Sequence, residues 1–327
     1  MESLRPARPT LHPREPAGWL VESELGAEGR MVKSLTAFLT NRECPWRCVY
    51  CDLWKFALAD SVAPGDVPAQ LRRILLEHAQ RECGGEQVKL YNAGSFFDAR
   101  AIPESDDATI QGLIRDFGRV IVESHPALVG ARCWRFRDGL AAASGGQSVL
   151  EVAMGLETVN PKVLPQLNKR VTLETFARAA AALHRQGVAL RTFVLVRPPF
   201  EEPAEAITWA IRSVDFAMEQ GSTAVALIPV RGGNGALEAL AARGQFHPPA
   251  LIDLELAMDG AISVARGRGR VFADVWDLAR FADCPRCFDA RRERLERMNR
   301  TQAVEPRVVC AECGGGGNGP IPRQTCE

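Results

Sequence analysis

Residues 43–54 of the chain read ECPWRCVYCDLW and place three cysteines, Cys44, Cys48 and Cys51, close together. Structural zinc takes four ligands, so three thiols do not complete a tetrahedral zinc site by themselves. A [4Fe–4S] cluster bound by three thiolates instead leaves its fourth iron open, which is needed where a substrate binds the metal. The stretch therefore predicts a substrate-binding iron–sulfur cluster, with zinc completed by a fourth, distant thiol as the structural alternative.

The composition favours a large globular protein without a bulk attraction to nucleic acids. The chain has 327 residues, of which 46% are hydrophobic, and its 40 Lys and Arg balance its 40 Asp and Glu. This length accommodates one large α/β domain with an appendage, or two domains. The balanced charge argues against a protein that coats nucleic acid through bulk electrostatics, although a local basic patch stays open.

The ten cysteines are expected to bind metals rather than to form disulfides. No apolar run approaches the ~20 residues that a membrane-spanning helix needs, and the N-terminus lacks the apolar stretch of a secretory signal. We therefore expect a cytoplasmic protein with no membrane segment, in a reducing compartment where clustered cysteines are metal ligands. Cys83 and Cys133 stand apart from the clusters and are predicted to be buried apolar thiols.

Strand-like runs alternate with helical patterns through most of the chain. Strands are predicted over 34–40, 87–92, 119–123, 148–156, 189–196 and 223–229, and helices over 66–82, 108–117, 173–186 and 203–220. This alternation predicts a parallel sheet of right-handed βαβ units, either open or a partial (β/α)6 barrel. We divide the chain into an irregular lead-in (1–33), the barrel (34–245) and a C-terminal extension with a flexible tail (246–327). Ligands are expected at the C-terminal ends of the strands.

A second set of cysteines lies in the extension. Cys284, Cys287, Cys310 and Cys313 form a pair of CxxC motifs, CPRC and CAEC. This spacing is typical of a zinc ribbon, whose two knuckles are joined by a hairpin or a short helix. An auxiliary iron–sulfur cluster and unliganded thiols are the alternatives.

Arginines surround this second set. They lie at positions 266, 268, 270, 291, 292, 294, 297 and 300. Arginine forks suit phosphate groups, so the patch is a candidate for gripping RNA. Interspersed glutamates explain the same pattern equally well as a salt-bridged helix face.

The first cysteine motif resembles the signature of radical S-adenosylmethionine (SAM) enzymes. The motif reads CxxxCxΦC, with Tyr50 at the aromatic position Φ. The resemblance implies a partial barrel in which the open iron binds the methionyl end of SAM. An electron donor such as flavodoxin or ferredoxin would then drive cleavage to methionine and a 5′-deoxyadenosyl radical, which abstracts a hydrogen atom from the substrate.

The resemblance also implies cofactor contacts for Tyr50 and for the ends of the second and third strands. Tyr50 would pack near the adenine of SAM. The segment LYNAGSFFD stands where the family binds the SAM amino group, but its usual acid is absent, and Asn92, Gly94 and Ser95 offer acceptors instead. Glu123 would bind the ribose hydroxyls or the amine.

Two further segments contribute candidate residues. GLETVNPKVLPQLNKRVT resembles the coproporphyrinogen-dehydrogenase and Elongator-like branches, which implies that Glu157 faces SAM and that Lys169 supplies the cation for its carboxylate. A zwitterionic ligand needs both a cation and an acceptor. Arg231 and Asn234, in IPVRGGN after the sixth strand, are candidates for the substrate side.

Several longer stretches resemble the radical SAM subunit of archaeosine synthase and its bacterial relatives. They are SELGAEGRMVKSLTAFLT, LYNAGSFFDARAIP, the GLET…LNK block, LVRPPF and RGQFHPPAL. The resemblance implies a lyase- or transferase-type enzyme of tRNA modification, which cleaves a C–N bond in a lysine adduct of a 7-deazaguanine base and works with a second subunit. The alternatives are a radical SAM enzyme acting on a free metabolite or peptide with an auxiliary cluster, and a non-catalytic zinc-ribbon RNA-binding protein.

Overall fold

The computed structural model describes residues 5, 7–80 and 86–313; Cys83 and the predicted flexible tail lie outside these residues. The strands are β1 (Gly18–Leu25), β2 (Met31–Leu39), β3 (Asn41–Arg42), β4 (Ala57–Leu58), β5 (Gln87–Asn92), β6 (Arg119–Glu123), β7 (Val149–Glu157), β8 (Ala189–Val196), β9 (Ala224–Pro229) and β10 (Arg270–Ala273). The α-helices are α1 (Asp66–Gln80), α2 (Asp107–Ile114), α3 (Ala131–Ala143), α4 (Leu173–Arg185), α5 (Ala206–Glu219), α6 (Ala236–Ala241), α7 (Leu251–Ala265) and α8 (Pro285–Thr301). No helix in this part of the chain is long and apolar enough to cross a membrane.

One curled sheet of eight strands forms a half-barrel, in the order β1-β2-β5-β6-β7-β8-β9-β10. β2 and β5 to β9 are the six predicted strands, and the pairings among these six are all parallel. The expectation of a partial α/β barrel is confirmed. β10 pairs in parallel with β9, so residues beyond 245 extend the barrel sheet itself.

The expectation of an irregular lead-in is wrong for residues 18–25. These residues form β1, which pairs antiparallel with β2 from Gly18 opposite Phe38 to Leu25 opposite Met31. The four prolines of the lead-in all precede this strand. β1 is therefore an added edge strand, and the chain enters the first parallel strand through a hairpin.

The two faces of the sheet differ sharply in chemistry. Alternate residues such as Leu35, Leu90 and Val152 join the apolar core, which also contains Leu71 of α1 and Phe176 of α4. Side chains on successive strand residues point to opposite faces. The other face, which is the inside of the half-barrel, carries the following residues: Ser34, Thr36, Phe38, Gln87, Lys89, Tyr91, Arg119, Glu123, Glu151 and Arg191.

Buried charges close one end of the half-barrel. Glu24 on β1 accepts hydrogen bonds from Lys89 on β5 at 2.6 Å and from Arg191 on β8 at 2.6 and 3.1 Å. Arg191 also donates to Glu151 at 2.7 Å. Although burial alone would raise the pKa of Glu24, Arg191 and Lys89 hold it well below the usual range. We call Glu24, Lys89, Glu151 and Arg191 the ionic floor.

A hydrogen bond between β10 and β1 joins the two edges of the curled sheet. The strands β1 and β10 are at opposite ends of the strand order. Arg270 on β10 nevertheless donates to the backbone oxygen of Leu25 at 2.8 Å. The sheet is therefore curled far enough to bring its first and last strands into contact at this end.

Replacing Glu24 with Ala should lower the free energy of unfolding by about 3–5 kcal/mol, because it leaves Lys89 and Arg191 buried with uncompensated charge. Glu22 on the same strand also contacts Lys89, but its side chain is 48% exposed. The matched control Glu22→Ala should cost about 0–1 kcal/mol. Urea unfolding followed by circular dichroism compares the two variants, and equal losses would contradict the role assigned to the ionic floor.

Candidate functional site

The three-cysteine loop leaves the C-terminal end of β2 and lies at the open end of the half-barrel. Cys44, Cys48 and Cys51 are all partly exposed, and the backbone amide of Cys51 closes a turn onto the oxygen of Cys48 at 3.1 Å. Burial raises the pKa of Cys44 to about 11 and also raises the pKa values of Cys48 and Cys51. Metal binding would provide the positive charge that these thiolates lack.

Residues from the segment after β7 hold this loop by its backbone. Asn168 has a left-handed backbone conformation (φ 57°), and its side-chain amide donates to the oxygens of Trp46 at 2.9 Å and Arg47 at 3.2 Å. The backbone oxygen of Leu167 accepts from the amide of Val49 at 3.1 Å. These bonds fix the path of the loop between its first and last cysteines. The sequence analysis did not select Asn168, although it lies in the LNK segment.

Asn234 also supports the loop. Its side-chain amide donates to the backbone oxygens of Val49 at 2.8 Å and Cys51 at 3.3 Å. Its Oδ1 accepts from the amide of Leu237 at 2.8 Å, and the residue is 2% exposed. Asn234 therefore supports the cysteine loop in this structure and has little surface to offer a substrate.

Gly94 lies on the other side of the loop. A Cβ atom built on Gly94 would lie 3.4 Å from the Cβ of Cys44. This distance is ordinary van der Waals contact, so the segment after β5 packs directly against the first cysteine.

Two predicted cofactor residues form an ion pair beside the loop. Nζ of Lys169 lies 2.6 Å from Oε1 of Glu157, and both side chains are at least 86% buried. Glu157 has φ +70° at an irregularity in the β7–β8 pairing. A Cβ on Gly155 would fall 2.0 Å from Oε1 of Glu157, so only glycine leaves room for this pair. After the opposing effect of burial, the Glu157 carboxylate and the Cys48 thiol are the main causes that raise the pKa of Lys169.

Tyr50 lies between the Glu157–Lys169 ion pair and the three-cysteine loop. Its hydroxyl lies close enough to Glu157 and Cys48 for their charges to act on it. Burial, followed by the nearby Cys48 and Glu157 charges, raises the pKa of Tyr50 well above its usual value. Its ring packs against an apolar cluster that includes Leu195 and Val230. Tyr50 therefore lies at the boundary between the loop and the barrel interior.

Glu123 ends β6 on the inner face of the sheet. One carboxylate oxygen accepts from the backbone amide of Asn92 at 3.1 Å. Burial raises the pKa of Glu123 to about 8, although the Asn92 amide and the Lys169 charge oppose this shift. Asn92 itself alternates with Leu90 and so lies on the helix-covered face. Its side-chain amide is buried and makes no hydrogen bond with the described residues.

His125 joins the cysteine loop to Lys169, and the sequence analysis did not select it. Its ring stacks on Trp46 with centroids 3.8 Å apart and planes 9° apart. Nδ1 accepts from the amide of Ala127 at 3.1 Å, which assigns the proton to Nε2, and Nε2 donates to the backbone oxygen of Lys169 at 3.0 Å. Burial lowers the pKa of His125 to about 4, so the ring is neutral. Ser95 orients His125 by accepting from its amide at 2.9 Å.

The donor set fits a three-thiolate cluster and a zwitterionic ligand. The three thiols lie on one loop that other segments hold in place, and Lys169 provides the cation near Cys44 and Cys48. Glu123 and Glu157 provide acceptors at the neighbouring strand ends. A ligand with an ammonium and a carboxylate group would find a partner for each charge within this set.

The four cysteines of the extension form a separate, compact group. Their Sγ atoms all lie within 4.8 Å of one another, and those of Cys287 and Cys313 are 3.8 Å apart. A tetrahedral ion with metal–sulfur bonds of 2.3 Å requires sulfur–sulfur distances of about 3.8 Å. Backbone amides of Cys313 and Glu312 lower the pKa of Cys310 to about 7. The structure thus brings together the predicted CxxC pairs at a spacing suited to one metal ion.

Arginines near this group are used within the fold. Arg291 on α8 donates to Glu255 on α7 at 2.6 and 2.9 Å. Arg294 donates to Asp259 at 2.6 Å and is fully buried. These contacts favour the salt-bridged helix face over an RNA-gripping patch. The 17-residue helix α8 begins within the first CxxC motif and makes up most of the connection to the second, so the insert is longer than the expected short helix.

Arg231 is also engaged in internal contacts. Its guanidinium lies 2.9 Å from a carboxylate oxygen of Asp274 and donates to the backbone oxygen of Trp276 at 2.6 Å. Its side chain is 12% exposed. Arg231 therefore fastens the loop after β10 to the loop after β9.

No protein-family model matches the chain. It is 28% identical to archaeosine synthase subunit beta of Methanosarcina acetivorans over 246 residues, which cover 72% of this chain and 68% of that protein. It is 25% identical to archaeosine synthase subunit beta of Thermococcus kodakarensis over 179 residues, covering 53% and 54% of the two chains.

The fold has a solved counterpart in the archaeal Methanocaldococcus infernus Elp3 with an N-terminal deletion. The TM-score is 0.51 at 13% identity, and the match covers 70% of this chain and 58% of that one. The half-barrel, the three-cysteine loop and the sequence relatives agree with one another. The chain is therefore similar in sequence to archaeosine synthase subunit beta and similar in fold to the archaeal Elp3.

Proposed function

We propose that the protein is a radical SAM enzyme whose cluster is bound by Cys44, Cys48 and Cys51. The observation that carries this proposal is the loop of three thiols beside the Lys169–Glu157 ion pair, whose separation is 2.6 Å. A zinc site would have no use for this neighbouring charge pair. A cluster with an open iron needs it to orient the second ligand.

The chain's own residues would bind and orient SAM. When bound, the cluster supplies the electron that cleaves SAM to methionine and a 5′-deoxyadenosyl radical. Lys169 pairs with the SAM carboxylate, and Glu157 holds Lys169 in place through their 2.6 Å contact. Glu123 accepts from the ribose hydroxyls or the ammonium group. His125 keeps the loop and Lys169 at a fixed separation through its stacking and hydrogen bond.

Three predicted residues take supporting roles in this proposal. The Asn92 backbone positions Glu123, and Ser95 positions His125. Gly94 keeps the segment after β5 in contact with Cys44. A fourth residue, Tyr50, lies beside Cys48 and Glu157, so we place it at the cluster rather than only beside the adenine.

The reaction that we propose is a lyase-type modification of a 7-deazaguanine nucleoside in tRNA. The relatives named archaeosine synthase subunit beta support this choice. Their subunit name also supports a second subunit as a partner. The enzyme would work in the cytoplasm and receive electrons from a donor such as flavodoxin or ferredoxin.

We assign zinc to Cys284, Cys287, Cys310 and Cys313. The 3.8 Å contact between two of the sulfur atoms supports a single tetrahedral ion. An auxiliary four-iron cluster would hold its thiolates further apart, because the irons and sulfides of the cluster lie between them. The zinc would join the start of α8 to the segment of Cys310 and Cys313, which follows the helix in the chain.

Two single substitutions should show which cysteines bind iron and which bind zinc. Cys287→Ser should remove the zinc and retain about four irons per chain, whereas Cys48→Ser should remove the iron and retain about one zinc. Mass spectrometry of metals after anaerobic reconstitution measures both, with Cys133→Ala as the control. Iron lost from Cys287→Ser in proportion to zinc would contradict the assignment and favour an auxiliary cluster.

Reconstituted protein with dithionite and SAM should form 5′-deoxyadenosine, and Cys48→Ala should form none because the cluster is lost. With tRNA that carries a lysine adduct of 7-deazaguanine, the protein should leave a formamidine on the base, detected by nucleoside mass spectrometry. Cleavage retained in Cys48→Ala would contradict the cluster assignment. Deoxyadenosine formation without any change in the tRNA would contradict the tRNA reaction and favour a free metabolite or peptide.

A further inference from the structure

Among the aromatic side chains on the inside of the half-barrel, three are partly exposed. Phe38 on β2, Tyr91 on β5 and Phe193 on β8 alternate with core residues and so lie on the inner face. Phe38 and Tyr91 are register partners. Tyr91 meets Phe193 edge to face, with centroids 6.2 Å apart and planes 88° apart. We call Phe38, Tyr91 and Phe193 the aromatic collar.

The aromatic collar is less buried than a packed core would leave it. Phe38 is 37% exposed although β2 lies between two other strands, and Tyr91 and Phe193 are half-buried. The neighbouring outer-face residues Leu39 and Leu90 are 2% and 0% exposed. Large apolar rings left open on the inside of a barrel mark a space for a ligand.

Small residues flank Phe193 on its two neighbouring strands. Phe193 is the register partner of Gly155 on β7 and of Ala226 on β9. Ala153 lies two residues before Gly155, on the same face of β7. The Glu157–Lys169 pair fills the space beside Gly155, whereas Ala153 and Ala226 place no bulky side chain next to the ring of Phe193.

The aromatic collar lies between the ionic floor and the cofactor residues. Tyr91 is close enough to Lys89 and Arg191 on one side, and to Glu123 on the other, for their charges to act on its hydroxyl. Gly155, the partner of Phe193, also bounds the Glu157–Lys169 pair. A ligand stacked on the aromatic collar would thus lie beside SAM, and one edge of the ligand would face the ionic floor.

We propose that the aromatic collar binds the planar heterocyclic base of the substrate. The inference rests on the proposed function, which places SAM beside Glu123 and Lys169. Aromatic faces stack on any base, and an enzyme that modifies a base within RNA must first turn that base out of its stack. The Tyr91 hydroxyl, which lies beside the ionic floor, then meets the polar edge of the base.

The test compares loss of a ring with loss of a hydroxyl. The unchanged full-length protein, reconstituted without reductant, is titrated with 7-deazaguanosine and separately with ribose, and heat of binding gives each Kd. Tyr91→Leu and Phe193→Leu should each weaken 7-deazaguanosine binding by roughly 5- to 150-fold, the range measured for loss of base stacking. Tyr91→Phe keeps the ring and should retain most of the affinity. Iron content and circular dichroism verify that each variant is folded.

Several results would overturn the proposal. The unchanged protein could bind ribose and 7-deazaguanosine with equal affinity, or could fail to bind the nucleoside. Tyr91→Leu and Tyr91→Phe could also bind 7-deazaguanosine with equal affinity. If Phe193→Leu weakens SAM binding as much as nucleoside binding, the collar holds the cofactor's own adenine and the proposal is also wrong.

The proposed function is judged separately, by 5′-deoxyadenosine formation in the unchanged protein. Cleavage of SAM without base binding would leave the radical SAM assignment standing and overturn the collar. Base binding that depends on the rings, without cleavage of SAM, would support the collar and contradict the enzyme assignment.

Discussion

The carboxylate of Glu24 is the contact on which the shape of the barrel depends. It bridges Lys89 and Arg191 across the inside of the sheet, where burial makes an unpaired charge costly. This bridge is possible only because β1 precedes the first parallel strand and lies at the open edge of the sheet. The ionic floor closes one end of the half-barrel. The loops after the parallel strands lie at the opposite end, which is where such sheets bind their ligands.

The cysteine loop shows how an irregular segment acquires a fixed shape. Its carbonyl groups accept hydrogen bonds from Asn168 and Asn234, which come from two different strand ends. His125 adds a stacked ring and a bond to the Lys169 backbone. Thiols placed in this way need little rearrangement when a metal binds, because the surrounding strands have already ordered the loop. The same bonds link the cluster ligands to the cation that would meet SAM.

The sequence predicts the parallel strands well and the edge strand poorly. The bounds of β5, β6 and β8 agree with the predicted 87–92, 119–123 and 189–196. These strands are short apolar runs between polar loops, which is the clearest strand pattern. β1 has no such pattern, because GWLVESEL at the sheet edge includes exposed charges and follows a proline-rich stretch.

The candidate site is predicted in part, for a related reason. Residue type and spacing in the sequence are enough to identify the cysteines and the Glu157–Lys169 pair as candidate site residues. The roles of Asn234 and His125 depend on which backbone groups fold against them, and distant segments supply those groups. The inner-face position of Tyr91 follows from strand alternation, but its edge-to-face contact with Phe193 depends on how the sheet curls.

The central claim is that three thiolates leave one iron free to bind SAM. Electron–nuclear double resonance on the reduced, reconstituted protein tests it directly, using SAM that carries isotope labels in its amino nitrogen and carboxylate oxygen. The account predicts magnetic coupling of both labels to the cluster, and loss of that coupling when Lys169 is replaced with Ala. An iron–sulfur signal that labelled SAM leaves unchanged, or a protein that binds zinc at Cys44, Cys48 and Cys51 and gives no such signal, would contradict it.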